Sequence, residues 1–224
     1  MVILSDKVLS NLNNIKEKII GKRVLIFDLE TSGLFDFKQY YKYWSNEIFD
    51  GSRIVEIGYY YTDNFQIDTC TDTDESVNIH TYLRKPLDFD HIDPESERVH
   101  NMSIEYLKSN GFKFSQILNN GLIKILNNVD YIISHNTKFD FYILLNELNR
   151  LGLSKTINYL INLQKDKRLL CTCMATGYCK LEKLYMNRFN EIPVNVHRAG
   201  DDVKTLLEIL ICNKVKYSYI DKIN

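Results

Sequence analysis

Val24-Leu-Ile-Phe-Asp-Leu-Glu-Thr-Ser-Gly-Leu34 is the stretch that decides how the rest of the chain is read. Four apolar residues in a row, Val24 to Phe27, follow Lys22-Arg23 and run toward Thr31-Ser32-Gly33, the pattern of a buried strand that stops at a turn. Side chains alternate faces along a strand, so Asp28 and Glu30 project to the same side where the strand ends. Two adjacent carboxylates at the edge of a core repel each other unless something neutralises them. A divalent cation is the usual solution.

The chain around this strand has 224 residues, 45% of them hydrophobic, and only 3 prolines, enough for one sizeable core. A single domain, 1–224, is expected, made of an N-terminal helix over 1–20 and a core over 21–211. No apolar run approaches a membrane span and the first residues do not form a signal sequence, which predicts a soluble intracellular protein with no membrane association. Five cysteines, Cys70, Cys171, Cys173, Cys179 and Cys212, are an odd and uneven set, read as reduced thiols rather than a disulfide framework. A net charge of -1 excludes the broad basic face that grips long duplex DNA, so any contact with nucleic acid is short and metal-assisted.

Residues 5–20 place Val8, Leu9, Leu12, Ile15 and Ile19 at helical spacing, with Ser5 or Asp6 as the cap, a helix expected to cover an edge or face of the sheet. The aromatic loop 35–52 reads chiefly as rings packed onto the body, with base stacking the rival reading. Strands are expected over 54–61 and 77–83, joined by the acidic turn 63–75, so that the first three strands form an antiparallel meander. Residues 84–98, holding two prolines, read as loop, followed by a short helix capped by Ser103. A helix over 114–127, a strand over 131–134 and a helix over 138–151 form the alternating part of the fold, with Asn136-Thr137 capping and Gly152 ending the last of these. Two helical pieces are expected around Arg168-Leu-Leu-Cys-Thr-Cys173. Cys171, Cys173 and Cys179 invite a zinc reading, but without a fourth ligand at normal spacing they read as structural cysteines. The last helix spans 201–211.

Asp28 and Glu30 at a strand end, with Asp140 and Asp202 in the first turns of helices, are four acids that such a fold can bring together. Carboxylate oxygen donors suit hard cations such as Mg2+ or Mn2+, and two ions would clamp an in-line displacement at phosphorus. His197, five residues before Asp202, can take the proton of an attacking water as general base. Asp201 rivals Asp202 as the fourth acid, but the spacing from His197 favours Asp202 and leaves Asp201 as a cap.

Phe27-Asp-Leu-Glu-Thr-Ser-Gly33, Ser134-His-Asn-Thr-Lys-Phe-Asp140 and His197-Arg-Ala-Gly-Asp-Asp202 together resemble the three motifs of the DEDDh 3′-to-5′ exonucleases, the DnaQ-like family typified by proofreading subunits. They stand in the family's order with about 110 and 60 residues between anchors. The resemblance implies an α/β, ribonuclease-H-like fold with a mixed five-stranded sheet and helices on both faces. It implies metal-dependent hydrolysis of the last phosphodiester at a 3′ end, releasing a nucleoside 5′-monophosphate. By position Asp28, Glu30, Asp140 and Asp202 match the metal-binding acids and His197 the base, while Glu30 belongs to both the metal and the catalytic set. Thr31 and Leu34 match residues that contact the terminal nucleotide, and Val99, His100 and Phe139 resemble its pocket. Gly200 stands where relatives carry a larger apolar residue, and Asn101 replaces a common glycine.

The expected partner is a single-stranded or frayed 3′ end, DNA favoured over RNA, with a polymerase or repair partner implied by the proofreading relatives. An exoribonuclease and a non-catalytic binding subunit are the competing readings.

Overall fold

The computed structural model describes residues 4–35, 43–66, 76–194, 197–212 and 217–223. The middle of the aromatic loop, residues 36–42, and most of the acidic turn, 67–75, lie outside them. Helix α1 (Asp6–Ile19) forms as its spacing predicts, with the Ser5 hydroxyl accepting from the Val8 amide and Leu12, Ile15 and Ile19 buried. It leads into β1 (Val24–Thr31). Then come the short α2 (Asn46–Phe49), β2 (Ile54–Thr62) and β3 (Val77–Leu83).

Residues 94–100, expected as loop, form α3 (Pro94–His100) instead. The Asp93 carboxylate accepts from the amides of Glu95 and Ser96, and Pro94 stands where a helix needs no amide donor, so the proline starts the helix rather than excluding it. Helix α4 (Ile104–Asn110) follows with Ser103 as its cap. The helix expected over 114–127 is broken into α5 (Phe114–Ile117) and α6 (Ile123–Leu126) by Asn120 and Gly121, whose φ of 104° only glycine adopts without strain.

Strand β4 (Tyr131–Ser134), α7 (Thr137–Arg150) and α8 (Ser154–Lys165) stand close to their expected positions. Asn136 holds the cap position of α7 in a left-handed conformation and makes no side-chain cap bond, contrary to the capping expected of it. Leu169–Cys171, placed by sequence between two helical pieces, is a strand, β5, that runs straight into α9 (Thr172–Ala175). After α10 (Leu181–Phe189), α11 (Ala199–Ile211) begins two residues earlier than expected, which puts Asp201 inside the helix rather than at its cap. Tyr217–Ile220 forms β6.

The sheet order is β5-β4-β1-β2-β3-β6. β1, β2 and β3 are antiparallel neighbours, β4 and β5 continue parallel to β1, and β6 lies parallel to β3. The sheet is therefore mixed, as expected, with six strands rather than five. The extra strand is an edge strand held by backbone pairing from Val77↔Tyr217 to His80↔Ile220, and its side chains are mostly exposed. A strand without a buried face leaves little hydrophobic signal.

Alternation along β1 sorts the two layers. Leu25, Phe27 and Leu29 face a core shared with Phe141, Leu144, Leu145 and Leu148 of α7, Leu160 of α8, and Ile117, Leu122 and Leu126. Val24 and Ile26 face the opposite core with Val203, Leu206, Leu207 and Leu210 of α11 and Ile15 and Ile19 of α1. Helices therefore cover both faces, and α1 covers part of the α11 face. Asp28 and Glu30 continue the row of Val24 and Ile26, so both carboxylates project beneath the start of α11. Among the described residues no helix is long and apolar enough to cross a membrane.

Candidate active site

Two features of the sheet create the space for the acids. β1 runs past Ile26, the last of its residues to pair with β4, to Thr31, and β2 alone pairs with this projecting end. The β1–β2 register then slips between Glu30 and Thr31, a bulge that re-aims the chain where the strand becomes a turn. Asp140, in the first turn of α7, occupies the edge that β4 has vacated and accepts from the Leu29 amide and from its own.

On β2, Gly58 lies across from Asp28 and Glu56 across from Glu30. A Cβ on Gly58 would stand 2.3 Å from the Ala199 carbonyl carbon, so only glycine lets the first turn of α11 rest on the sheet here. Buried Glu56 fastens that turn. Its Oε2 accepts from the Ala199 amide at 2.9 Å, and it pairs with the Arg198 guanidinium at 2.6 Å. Asp202, in the same turn, accepts from the His197 amide, and His197 itself is held at a φ of 69°.

Glu30, His197 and Asp202 thus converge, with donor atoms all within 4.8 Å of one another. Among the described residues they are the one such His, Cys, Asp and Glu group of three or more. Asp28 and Asp140 adjoin them. Burial pushes Asp28 well above the usual carboxylate range, and the charges of Asp140, Asp202 and Glu30 push it further. Burial raises Glu30 to about 9, with Asp202 and Glu56 adding to it. Asp140 is pushed up to about 8 by burial, against its hydrogen bonds, and Asp202 to about 7 by burial.

Among the described residues no lysine or arginine forms an ion pair with these four carboxylates. Arg198, whose charge opposes the rise at Glu30, is already engaged by Glu56. A set of carboxylate oxygens and one imidazole, crowded enough to resist ionisation together, fits divalent cations chemically.

Asp201 is turned away from this group. Its carboxylate accepts from the Tyr219 hydroxyl on β6, which leaves Asp202 as the acid of the pair that faces the cluster. Among the described residues the cysteines do not assemble a metal centre. Cys171, Cys173 and Cys179 are half-buried free thiols, and the neighbouring His135 is occupied by Thr172 and the Cys179 carbonyl.

Beside Glu30 a pocket of about 190 Å³ is lined by Thr31, Leu34, Val99, His100 and Phe139, together with Leu29, Glu95 and Ser96. All five residues assigned by resemblance to the terminal nucleotide therefore share one cavity. Thr31 shapes its floor through a 2.9 Å hydrogen bond to the Gly33 carbonyl, while Leu34 stands 76% exposed at the mouth. His100 is buried. Its Nδ1 accepts from the Met102 amide at 3.1 Å, and its Nε2, close to the Thr31 backbone, makes no well-formed hydrogen bond. A second cavity of about 530 Å³ opens on the other side of the acids, where Asp28, His197 and Asp202 meet Asn136, Tyr178 and Lys180.

Sequence reading missed two supports of this arrangement. One is the Glu56 anchor. The other is a buried ionic network in which Glu147 of α7 pairs with Arg53 at 2.8 Å and with Arg84, and Asp88 closes the ring on both arginines. It locks the turn after β1, since the Arg53 amide donates to the Ser32 hydroxyl at 2.9 Å and the Ser32 amide to the Arg53 carbonyl at 2.8 Å. Glu147 stands seven residues after Asp140, next to Leu148 on a helix whose other stripe is apolar. A lone acid beside that stripe was its only signal.

A mixed sheet with an antiparallel three-strand start, helices on both faces and acids gathered at the end of its first strand is the architecture of a ribonuclease-H-like nuclease. The chain belongs to the RNase_T exonuclease family, whose model matches residues 25–210. Comparison with curated protein sequences finds no match. Among solved structures it is similar to the zinc-bound E. coli ExoI–ssDNA complex, at 17% identity and a TM-score of 0.58 over 84% of this chain and 39% of that one. E. coli Exonuclease I in complex with a dT13 oligonucleotide matches at 16% identity and a TM-score of 0.60, over 85% and 40%. The chain thus spans about two fifths of the Exonuclease I chains it matches. S. pombe Pop2p in its Mg2+ and Mn2+ bound form matches at 16% identity and a TM-score of 0.55, over 93% of this chain and 89% of that one.

Proposed function

We propose that this chain hydrolyses the terminal phosphodiester of single-stranded or frayed 3′ ends, DNA ahead of RNA, with two divalent ions held by Asp28, Glu30, Asp140 and Asp202. The observation that carries the reading is the meeting of Glu30, His197 and Asp202 beside a pocket whose walls are Thr31, Leu34, Val99, His100 and Phe139. When bound, Mg2+ or Mn2+ offsets the charge that develops on the phosphoryl group and on the departing 3′ oxygen.

The protein's own groups do the rest. The small pocket accepts the terminal nucleoside, with Leu34 and Phe139 against its apolar faces and His100 Nε2 offered as a donor. His197, exposed beside Glu30 and Asp202, takes a proton from water onto an imidazole nitrogen as the water oxygen attacks phosphorus. The phosphorus to O3′ bond breaks in line and the departing O3′ takes a proton from solvent water, leaving a nucleoside 5′-monophosphate and a chain with a new 3′ hydroxyl. The positive φ at His197 and the amide bond from His197 to Asp202 couple the base to the helix that carries the fourth acid.

DNA is placed first because single-stranded DNA is what the Exonuclease I structures of this fold contain. Time courses on 5′-labelled DNA and RNA oligomers of matched sequence, with Mg2+ present, test both halves of the reading. Stepwise shortening of DNA ahead of RNA is the expected result. Equal or faster loss of RNA overturns the substrate order, and no shortening of either overturns the activity. Proofreading and repair roles, with a polymerase or repair partner, belong to the same proposal and rest on the resemblance alone.

A further inference from the structure

We propose that β6 is a clasp for the metal-binding helix, with Tyr219 as a positioning residue that holds the first turn of α11 where Asp202 and His197 meet Glu30. The inference rests on reading Asp202 and Glu30 as metal ligands, and adds a residue from beyond the part of the chain that the exonuclease family model matches, 25–210.

The first turn of α11 is gripped from two sides. From the sheet, Glu56 holds Arg198 and the Ala199 amide, and Gly58 lets the backbone settle. From the sheet edge, Tyr219 covers Gly200. A Cβ on Gly200 would stand 3.0 Å from Cε1 of the Tyr219 ring and 3.2 Å from Cβ of Thr81. The volume that a side chain at position 200 would fill is thus taken by a ring from another strand. The hydroxyl of the same ring donates to the Asp201 carboxylate, one residue from Asp202. A glycine that weakens a helix start by its freedom is here made rigid by what lies on it.

β6 is itself fixed at several points. It pairs with β3 from Val77 to His80, and the Ser218 hydroxyl donates to Asn78 at 2.9 Å. The Lys204 ammonium of α11 lies 4.7 Å from the centre of the Tyr217 ring, which meets the Tyr219 ring edge-on at 5.1 Å. Two tyrosines of one strand therefore grip two successive turns of the same helix. Supports that orient metal ligands from behind are worth about 10- to 100-fold in metal affinity or activity.

Titration of Mn2+ followed by electron paramagnetic resonance, with circular dichroism as the check on folding, tests the clasp. Tyr219→Ala is expected to stay folded, to bind Mn2+ about tenfold more weakly and to lose about tenfold in kcat on single-stranded DNA with little change in KM. Tyr219→Phe keeps the ring and loses only the hydroxyl, for a smaller loss of about threefold. Gly200→Ala pushes the ring aside and weakens Mn2+ binding. Combined with Tyr219→Ala it adds less than it costs alone, because both act on one contact. A folded Tyr219→Ala protein with wild-type Mn2+ affinity overturns the proposal. Should that variant not fold, unchanged affinity in both Tyr219→Phe and Gly200→Ala does the same. Wild-type protein that binds no Mn2+ overturns the metal reading beneath it, and the clasp with it.

Discussion

Two groups of buried charge flank the end of β1, and they are built on opposite principles. Behind the turn that follows β1, Arg53 and Arg84 share Glu147 and Asp88, so every buried charge has its counter-charge within the chain. At the end of β1 itself, Asp28, Glu30, Asp140 and Asp202 are gathered without a lysine or arginine paired to any of them among the described residues. The first group completes itself and serves the scaffold. The second is left electrostatically incomplete, which is how a site for an external cation differs from a structural ion network.

The largest effect expected of breaking this contrast is at the acids. Asp28→Ala should abolish nucleotide release from a 5′-labelled oligomer, a loss beyond the roughly 100-fold typical of outer supports, while leaving the circular dichroism spectrum intact. His197→Ala should cost about 10²- to 10⁴-fold in turnover, the usual worth of a general base, with Mn2+ binding retained; unchanged turnover removes the base role. On the paired side, Glu147→Ala removes the buried partner of Arg53 and Arg84 and leaves both to share the half-exposed Asp88. About 3–5 kcal/mol of stability should be lost, read as a fall in the urea midpoint at constant slope.

A further effect is on pH dependence without metal. Folding raises Asp202 to about 7, Asp140 to about 8 and Glu30 to about 9, all above unfolded carboxylates near 4. The folded state therefore holds more protons than the unfolded one, and stability should fall as pH rises from about 4 to 9. Urea midpoints in a chelator should decline across that window, and Mg2+ should flatten the decline by taking the protons' place. A flat profile in chelator would show that the acids are not crowded as described.

How much of this was legible in the sequence depended on whether a feature was local. The period of two along β1 placed Asp28 and Glu30 on one face, and the helix starts placed Asp140 and Asp202, because both rules act within a few residues. Asp93-Pro94-Glu95 also carried a local signal, a cap followed by a first-turn proline, which was outweighed by reading proline as a breaker. Glu56 was not legible. Its role follows from lying across from Glu30 beneath Arg198, and register between strands is set by the whole sheet rather than by neighbours. β6 escaped for another reason, since its affinity for β3 is in backbone bonds that leave no apolar pattern.

The same distinction explains Gly200. Read along the chain it is a missing side chain in an otherwise regular motif, and read in space it is the seat of the Tyr219 ring. The helix that carries Asp202 is therefore packed at its start by a residue about twenty positions further on, which no inspection of the motif alone would find.

Calorimetric titration of Mn2+ into wild-type protein and into Asp28→Ala tests most directly whether the unpaired acids are a cation site. A saturable binding isotherm is expected for the wild type and its loss in Asp28→Ala, with both proteins equally folded. A flat wild-type titration, or binding that survives the loss of Asp28 unchanged, would contradict this.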